Sequence, residues 1–89
     1  MPKAIAEAMN TYNPCLSVLV SKGYRVSAEF PEDGAADWCA ENGQVRISAS
    51  SPVSLLGLIA LWESRGEGWK KRSDEPDLYD QVLEGKPIP

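Results

Sequence analysis

Few residues in this chain have the type and spacing that chemistry needs. The 89 residues include no histidine, which removes the commonest general base, metal ligand and physiological pH switch. A nucleophile–base pair must then come from Cys or Ser with Lys, Asp or Glu. Cys39 is the one thiol set beside a cation, Arg46, and a neighbouring positive charge lowers a thiol's pKa. Cys15 stands at a predicted helix start, where the dipole acts in the same direction. The simpler account of both is packing. The acids Glu32 and Asp33, and Asp74, Glu75, Asp77 and Asp80, lack the alternating spacing and the glycine of a calcium loop. They read as solvated turn and helix-start acids. Gly66-Glu67-Gly68 is followed by no apolar helix and does not form a phosphate-cradling loop. These patterns argue against an enzyme, and no cofactor or metal site is expected.

Trp69-Lys70-Lys71-Arg72 is the one segment with the character of a nucleic-acid contact. A tryptophan can stack on an unpaired base while cations hold phosphate. Four acids follow closely, however, and the chain's formal net charge is −4, which disfavours non-specific binding to nucleic acid or to an anionic membrane. Two cysteines without an export signal are expected to be reduced thiols in a cytoplasmic protein. The size suggests a bacterial or phage origin.

The elements that must position these residues follow from periodicity and punctuation. Lys3–Asn10 is alanine-rich and predicts a short helix with Ile5, Ala8 and Met9 inward. Asn13-Pro14 resembles a cap followed by the first helical residue, so Cys15–Lys22 is expected to be helical. The valines of Leu16–Val20 also permit a strand. Gly23 is a natural stop, with Tyr24 able to clasp Leu19. Tyr24–Phe30 alternates as a half-buried strand. Asn42-Gly43 between two alternating segments predicts a two-residue hairpin that pairs Ala40 with Val45, Cys39 with Arg46, Trp38 with Ile47, Asp37 with Ser48 and Ala36 with Ala49. Trp38 and Ile47 then fall on the buried face and Cys39 on the polar one.

The longest apolar run, Leu55–Trp62, forms the centre of a helix predicted over Pro52–Arg65. Ser51 is its N-cap, Pro52 its first residue and Gly66 its terminator. Leu55, Leu58, Ile59 and Trp62 share one face. Leu56 and Leu61 lie elsewhere, so the helix is apolar on more than one side and is expected to be covered twice. Gly57 costs about 1 kcal/mol against alanine in a helix interior and is expected to mark a close approach by another helix or a second molecule. Ser73–Pro76 predicts the start of a last helix with an apolar stripe of Leu78, Tyr79, Val82 and Leu83, ended by Gly85 and Pro87.

The expected fold is a single α+β domain over residues 1–89: a three-stranded antiparallel β-meander with helices packed on one face, in the order α-β-β-β-α-α. Its central α-β-β-β-α order resembles that of double-stranded-RNA-binding domains. Those domains hold phosphate with a lysine-rich start to the last helix of the unit, whereas the start here, Ser51-Pro52-Val53-Ser54, is uncharged. The function expected is stoichiometric binding of another protein, as an inhibitor, immunity protein, antitoxin or adaptor, with a homodimer as one form. Nucleic-acid association through Trp69–Arg72 is the alternative, and no membrane contact is expected. Candidate contact residues are Arg25, Glu29, Asp37, Cys39 and Arg46 on the open sheet face, Gly57 on the long helix, and Trp69.

Overall fold

A computed structural model describes residues 2–88. Helix α1 (Tyr12–Ser21) is followed by strands β1 (Arg25–Glu29), β2 (Asp37–Glu41) and β3 (Arg46–Ala49), then α2 (Pro52–Arg65) and α3 (Leu78–Leu83). The strands form one antiparallel sheet in the order β1-β2-β3. This is the α+β architecture expected. Helix α1 packs over β1, α2 packs over β3 and β2, and the two helices pack against each other on the same face of the sheet. No helix among the described residues is long and apolar enough to cross a membrane.

Local chemistry explains the end of α1 and the start of α2; α1 itself begins at Tyr12, ahead of the expected start at Asn13-Pro14, with no side-chain cap. The Ser54 N–H donates to Ser51 Oγ at 3.1 Å, and Pro52 occupies the first turn, where a missing N–H costs nothing. Helix α1 closes in a Schellman motif: Tyr24 N–H donates to the Leu19 carbonyl at 3.1 Å and Gly23 N–H to that of Val20 at 3.0 Å. Gly23 takes φ +92° there, which a side chain would resist. Leu19 and Tyr24 are both buried in the core cluster with Ala40, Leu55 and Ile59, and Val26, Trp38, Ile47, Ala49 and Leu56 pack around it. Glu63 ties α2 to the end of α1: Lys22 Nζ lies 2.7 Å from one carboxylate oxygen, and the Tyr24 hydroxyl donates to the other at 3.4 Å. That hydrogen bond and charge raise the Lys22 pKa, while burial first, and then the same carboxylate, raises that of Tyr24.

The hairpin register differs from the expected one. Trp38 pairs with Ala49, Cys39 with Ser48, Ala40 with Ile47 and Glu41 with Arg46. The turn is centred on Gly43-Gln44 rather than on Asn42-Gly43. A type I′ turn at Asn42-Gly43 needs positive φ at both residues, and only Gly43, at +91°, has it. Asn42 instead stands before the turn, its Oδ1 accepting from Gln44 N–H at 3.0 Å and Val45 N–H at 3.1 Å. The pairing is displaced by two residues. Because the side-chain period is also two, every residue keeps its face, and Trp38 and Ile47 remain half-buried on the inner side.

Three other expectations are corrected. Lys3–Asn10 is not a helix; residues 3–7 have no regular structure, and the first turn is a 3-10 turn at Met9–Thr11. Ile5 is 91% exposed, and a short helix without tertiary packing is marginal in water. The long helix is covered on two sides as expected, by the sheet and by α1, but Gly57, Ala60 and Ser64 lie on neither and face water. Helix α1 packs on the other side, so Gly57 meets no close neighbour among the described residues; a Cβ there would find none of their atoms within 4 Å. Gly57→Ala is therefore expected to stabilise the fold by about 1 kcal/mol, read as a shift of the urea midpoint. Lastly, Ser73–Pro76 does not begin α3, which starts at Leu78. Leu78, Tyr79, Val82 and Leu83 are exposed, outside the packed core.

Candidate apolar groove

Helix α2 has three environments around its axis. Leu55 and Ile59 are fully buried; the Leu56 and Glu63 side adjoins α1; and Leu58, Leu61 and Trp62 lie on a third side, over the margin of the sheet beside β3. That third side forms one wall of a groove of about 310 Å³, whose other walls are Val45, Arg46, Ile47 and Trp69. Leu58 is 40% exposed and Trp69 47% exposed. Of the α2 residues here, helical spacing singles out only Leu61 as surface beyond the core face; it groups Leu58 and Trp62 with Leu55 and Ile59, whereas Leu58 is 40% exposed and lines the groove with Trp62. The contribution of the β3 margin could not be read locally, because it depends on where α2 crosses the sheet.

Trp69 reaches the groove on a tethered loop. Gly66 ends α2 with its N–H on the Trp62 carbonyl, and one 3-10 turn, Gly66–Gly68, leads to Trp69. Arg65 then clamps the returning chain: Nη1 lies 2.7 Å from Glu75 Oε1 and donates to the Lys70 carbonyl at 3.3 Å. The Arg72 N–H donates to the same Glu75 oxygen at 3.3 Å. The Arg65 hydrogen bond and then the Arg72 backbone N–H hold the Glu75 carboxyl below its ordinary pKa, and Glu75 in turn raises that of Arg65. Glu75 thus serves as an anchor for the loop, which is why the helix start expected around it does not form.

Two of the three cations beside Trp69 have contacts within the chain, both at exposed positions. Lys70 Nζ sits 5.7 Å from the Trp69 ring centroid, over its face. Lys71 pairs with Asp77 at 3.4 Å. Trp69 lines an apolar wall together with Trp62.

The remaining candidates divide between two places. Arg25, Glu29, Asp37 and Arg46 are exposed on the outer sheet face. There Arg25 opposes Glu41, and Glu29 opposes Asp37; Glu41 also lies 3.5 Å from Arg46. Cys39 lies on this face as expected, but its partners are Ser27 and Ser48. It is only 4% exposed, a small side chain mid-strand among neighbours. Arg46 opposes Glu41 and not Cys39, so the activating cation that the expected register placed opposite the thiol is opposite a carboxylate. Arg46 and Trp69 meet at the groove, while Gly57 faces water away from it.

Compared with models of protein families, with curated proteins and with solved structures, the chain matches none.

Proposed function

We propose that this chain is a small non-enzymatic module that binds another protein stoichiometrically, as an inhibitor, immunity protein, antitoxin or adaptor does. The observation that carries this reading is the open groove walled by Leu58, Leu61, Trp62, Trp69, Val45 and Ile47. Apolar side chains left in water beside a concave surface are characteristic of contact sites, and tryptophan is the residue most enriched among those that dominate binding energy. The lining holds no thiol, hydroxyl or carboxylate, and Arg46 is its sole charged member. That composition supports binding over bond-making. The free thiols Cys15 and Cys39 agree with a reducing, cytoplasmic setting. The engagement of Lys70 and Lys71 within the chain weakens the nucleic-acid alternative.

The test uses the full chain as bait in a lysate of the source organism, run with and without nuclease treatment, with Leu58→Asp alongside. Wild type is expected to retain one protein at a fixed molar ratio, measured by light scattering of the purified complex. Leu58→Asp is expected to lose it while remaining folded, with a smaller fall in melting temperature than Leu55→Ala, since Leu58 is outside the buried cluster. A bound species destroyed by nuclease, or retention indifferent to Leu58→Asp, would overturn the reading.

A further inference from the structure

The groove runs along the free margin of β3. Val45 and the first two residues of β3, Arg46 and Ile47, line it in succession. Side chains alternate faces along a strand, so three neighbours in sequence share one wall only where the strand's backbone margin forms that wall. Strand β3 is the last of the sheet.

Which backbone groups face outward follows from the ladder. The Asn42 N–H donates to the Val45 carbonyl at 3.3 Å, which makes Asn42 and Val45 a hydrogen-bonded pair. Antiparallel pairs alternate between bonded and non-bonded types. Ala40/Ile47 and Trp38/Ala49 are therefore bonded pairs, and the N–H and C=O groups of Arg46 and Ser48 point away from the sheet. Neither residue makes a further backbone hydrogen bond outside the sheet among the described residues. A row of unpaired donors and acceptors at a sheet margin is a template for another strand. Here the template lies beneath the overhanging apolar side of α2.

We infer that the partner segment is an extended strand that pairs antiparallel with β3, placing an apolar side chain into the groove and an acidic side chain beside Arg46. This rests on the protein-binding reading above and specifies its partner. The residue opposite Ile47 turns inward, onto Leu58, Leu61, Trp62 and Trp69. The residues opposite Arg46 and Ser48 turn to the outer, polar face. Charge selects the acid: Arg46 is the only charged residue of β3, its side chain is 64% exposed, and its own contact with Glu41 is long at 3.5 Å. Lys70, over the Trp69 ring, adds a second cation near the groove. Charge also disfavours a second copy as the occupant. Two β3 strands pairing about a two-fold axis bring Arg46 near Arg46, and join two chains that each carry net charge −4. An added strand is a known mode of peptide recognition, with main-chain bonds giving affinity and alternate side chains giving specificity.

The experiment uses the intact chain and a defined probe, acetyl-Val-Thr-Leu-Glu-Val-amide, whose leucine falls opposite Ile47 and whose glutamate falls opposite Arg46. Binding is read from tryptophan emission, to which Trp62 and Trp69 of the groove contribute, and from hydrogen exchange at the Arg46 and Ser48 amides. Wild type is expected to bind, with both amides slowed. Replacing the peptide's glutamate by lysine should weaken binding about fivefold, the scale of an exposed ion pair. Methylating the threonine and glutamate nitrogens, which face β3, should weaken it about tenfold or more through two lost hydrogen bonds. Methylating the leucine nitrogen, which faces away, should have the smaller effect. Ser48→Pro removes one outward N–H at a strand margin, where proline is tolerated, and should also lose the peptide; the methylated series carries the test if that variant fails to fold. No binding at millimolar peptide, or equal loss from all three methylations, overturns the inference. Concentration-dependent self-association of wild type, abolished by Ser48→Pro, overturns it in favour of a second copy. Loss of the lysate partner with Leu58→Asp, while the Arg46 and Ser48 amides exchange freely in that complex, overturns strand pairing and leaves the protein-binding reading standing.

Discussion

Leu55→Ala is expected to lower the free energy of unfolding by about 2–5 kcal/mol, measured by urea titration of far-ultraviolet circular dichroism. Leu55 is fully buried, in one cluster with Leu19, Tyr24, Ala40 and Ile59. It lies where α2 meets both α1 and the sheet, so truncating it removes contacts to both. The neighbours cannot close the space easily. Leu19 is held by the Schellman bond that ends α1, and Ala40 is fixed in the central strand by pairing on both sides. A domain of this size has about 5–15 kcal/mol of stability in total, so this single change consumes a large share of it. Leu58→Ala, one turn along but 40% exposed, should cost distinctly less. A loss below about 1 kcal/mol at Leu55 would mean that the core is not centred on this residue.

The contrast between Leu55 and Leu58 bears on what was legible in the chain. The boundaries of α2 are written in neighbouring residues: Ser51 caps, Pro52 starts and Gly66 stops, and each acts within one turn of its own position. The clasp of Tyr24 on Leu19 is equally local. The hairpin was legible only as far as its faces. Asn-Gly suits a turn at its own two central positions, but asparagine just before a Gly-Gln turn can bond forward to Gln44 and Val45, and nothing nearby decides between the two. An even displacement left the buried set intact, so hydrophobic patterning could not decide either. The helix expected at Lys3–Asn10 failed for the opposite reason. Its composition favours helix, but Ile5 has no surface to pack on, and propensity alone does not hold eight residues.

The groove was half legible. That α2 is apolar on more than one side could be counted from Leu56 and Leu61, but Leu56 packs on the core, and Leu58 and Trp62, which share the face of Leu55 and Ile59 by spacing, line the groove with Leu61. What borders it depends on long-range geometry. Glu75, read as one of several helix-start acids, reaches back ten residues to Arg65 and so fixes the loop that sets Trp69 against the wall. Gly57 was misread for a related reason. Small residues along a helix mark either a close crossing or a watered back, and only the position of α1, on the Leu56 side, separates the two.

Trp69→Ala is expected to separate binding from stability. Trp69 is 47% exposed and stands outside the buried cluster, on a loop held by Arg65 and Glu75 without help from its indole. Removing the ring should cost roughly 1 kcal/mol of stability or less, well under the 3–5 kcal/mol typical of a buried tryptophan. For the bound protein the expectation reverses. A tryptophan at the wall of an apolar groove loses its remaining water when a partner closes over it, and such residues commonly carry 2 kcal/mol or more of binding, about thirtyfold in affinity. The loss should appear mainly as faster dissociation, since the side chain is uncharged and does little to steer encounter. The measurements are urea unfolding of wild type and Trp69→Ala, and dissociation rates of the complex recovered with wild-type bait. If the variant loses about 3–5 kcal/mol of stability instead, Trp69 is a cover for the core and the groove is a closed part of the fold. If both stability and dissociation are unmoved, the indole contributes to neither, and the contact surface must lie elsewhere, with the outer sheet face of Arg25, Glu29 and Asp37 the next place to mutate.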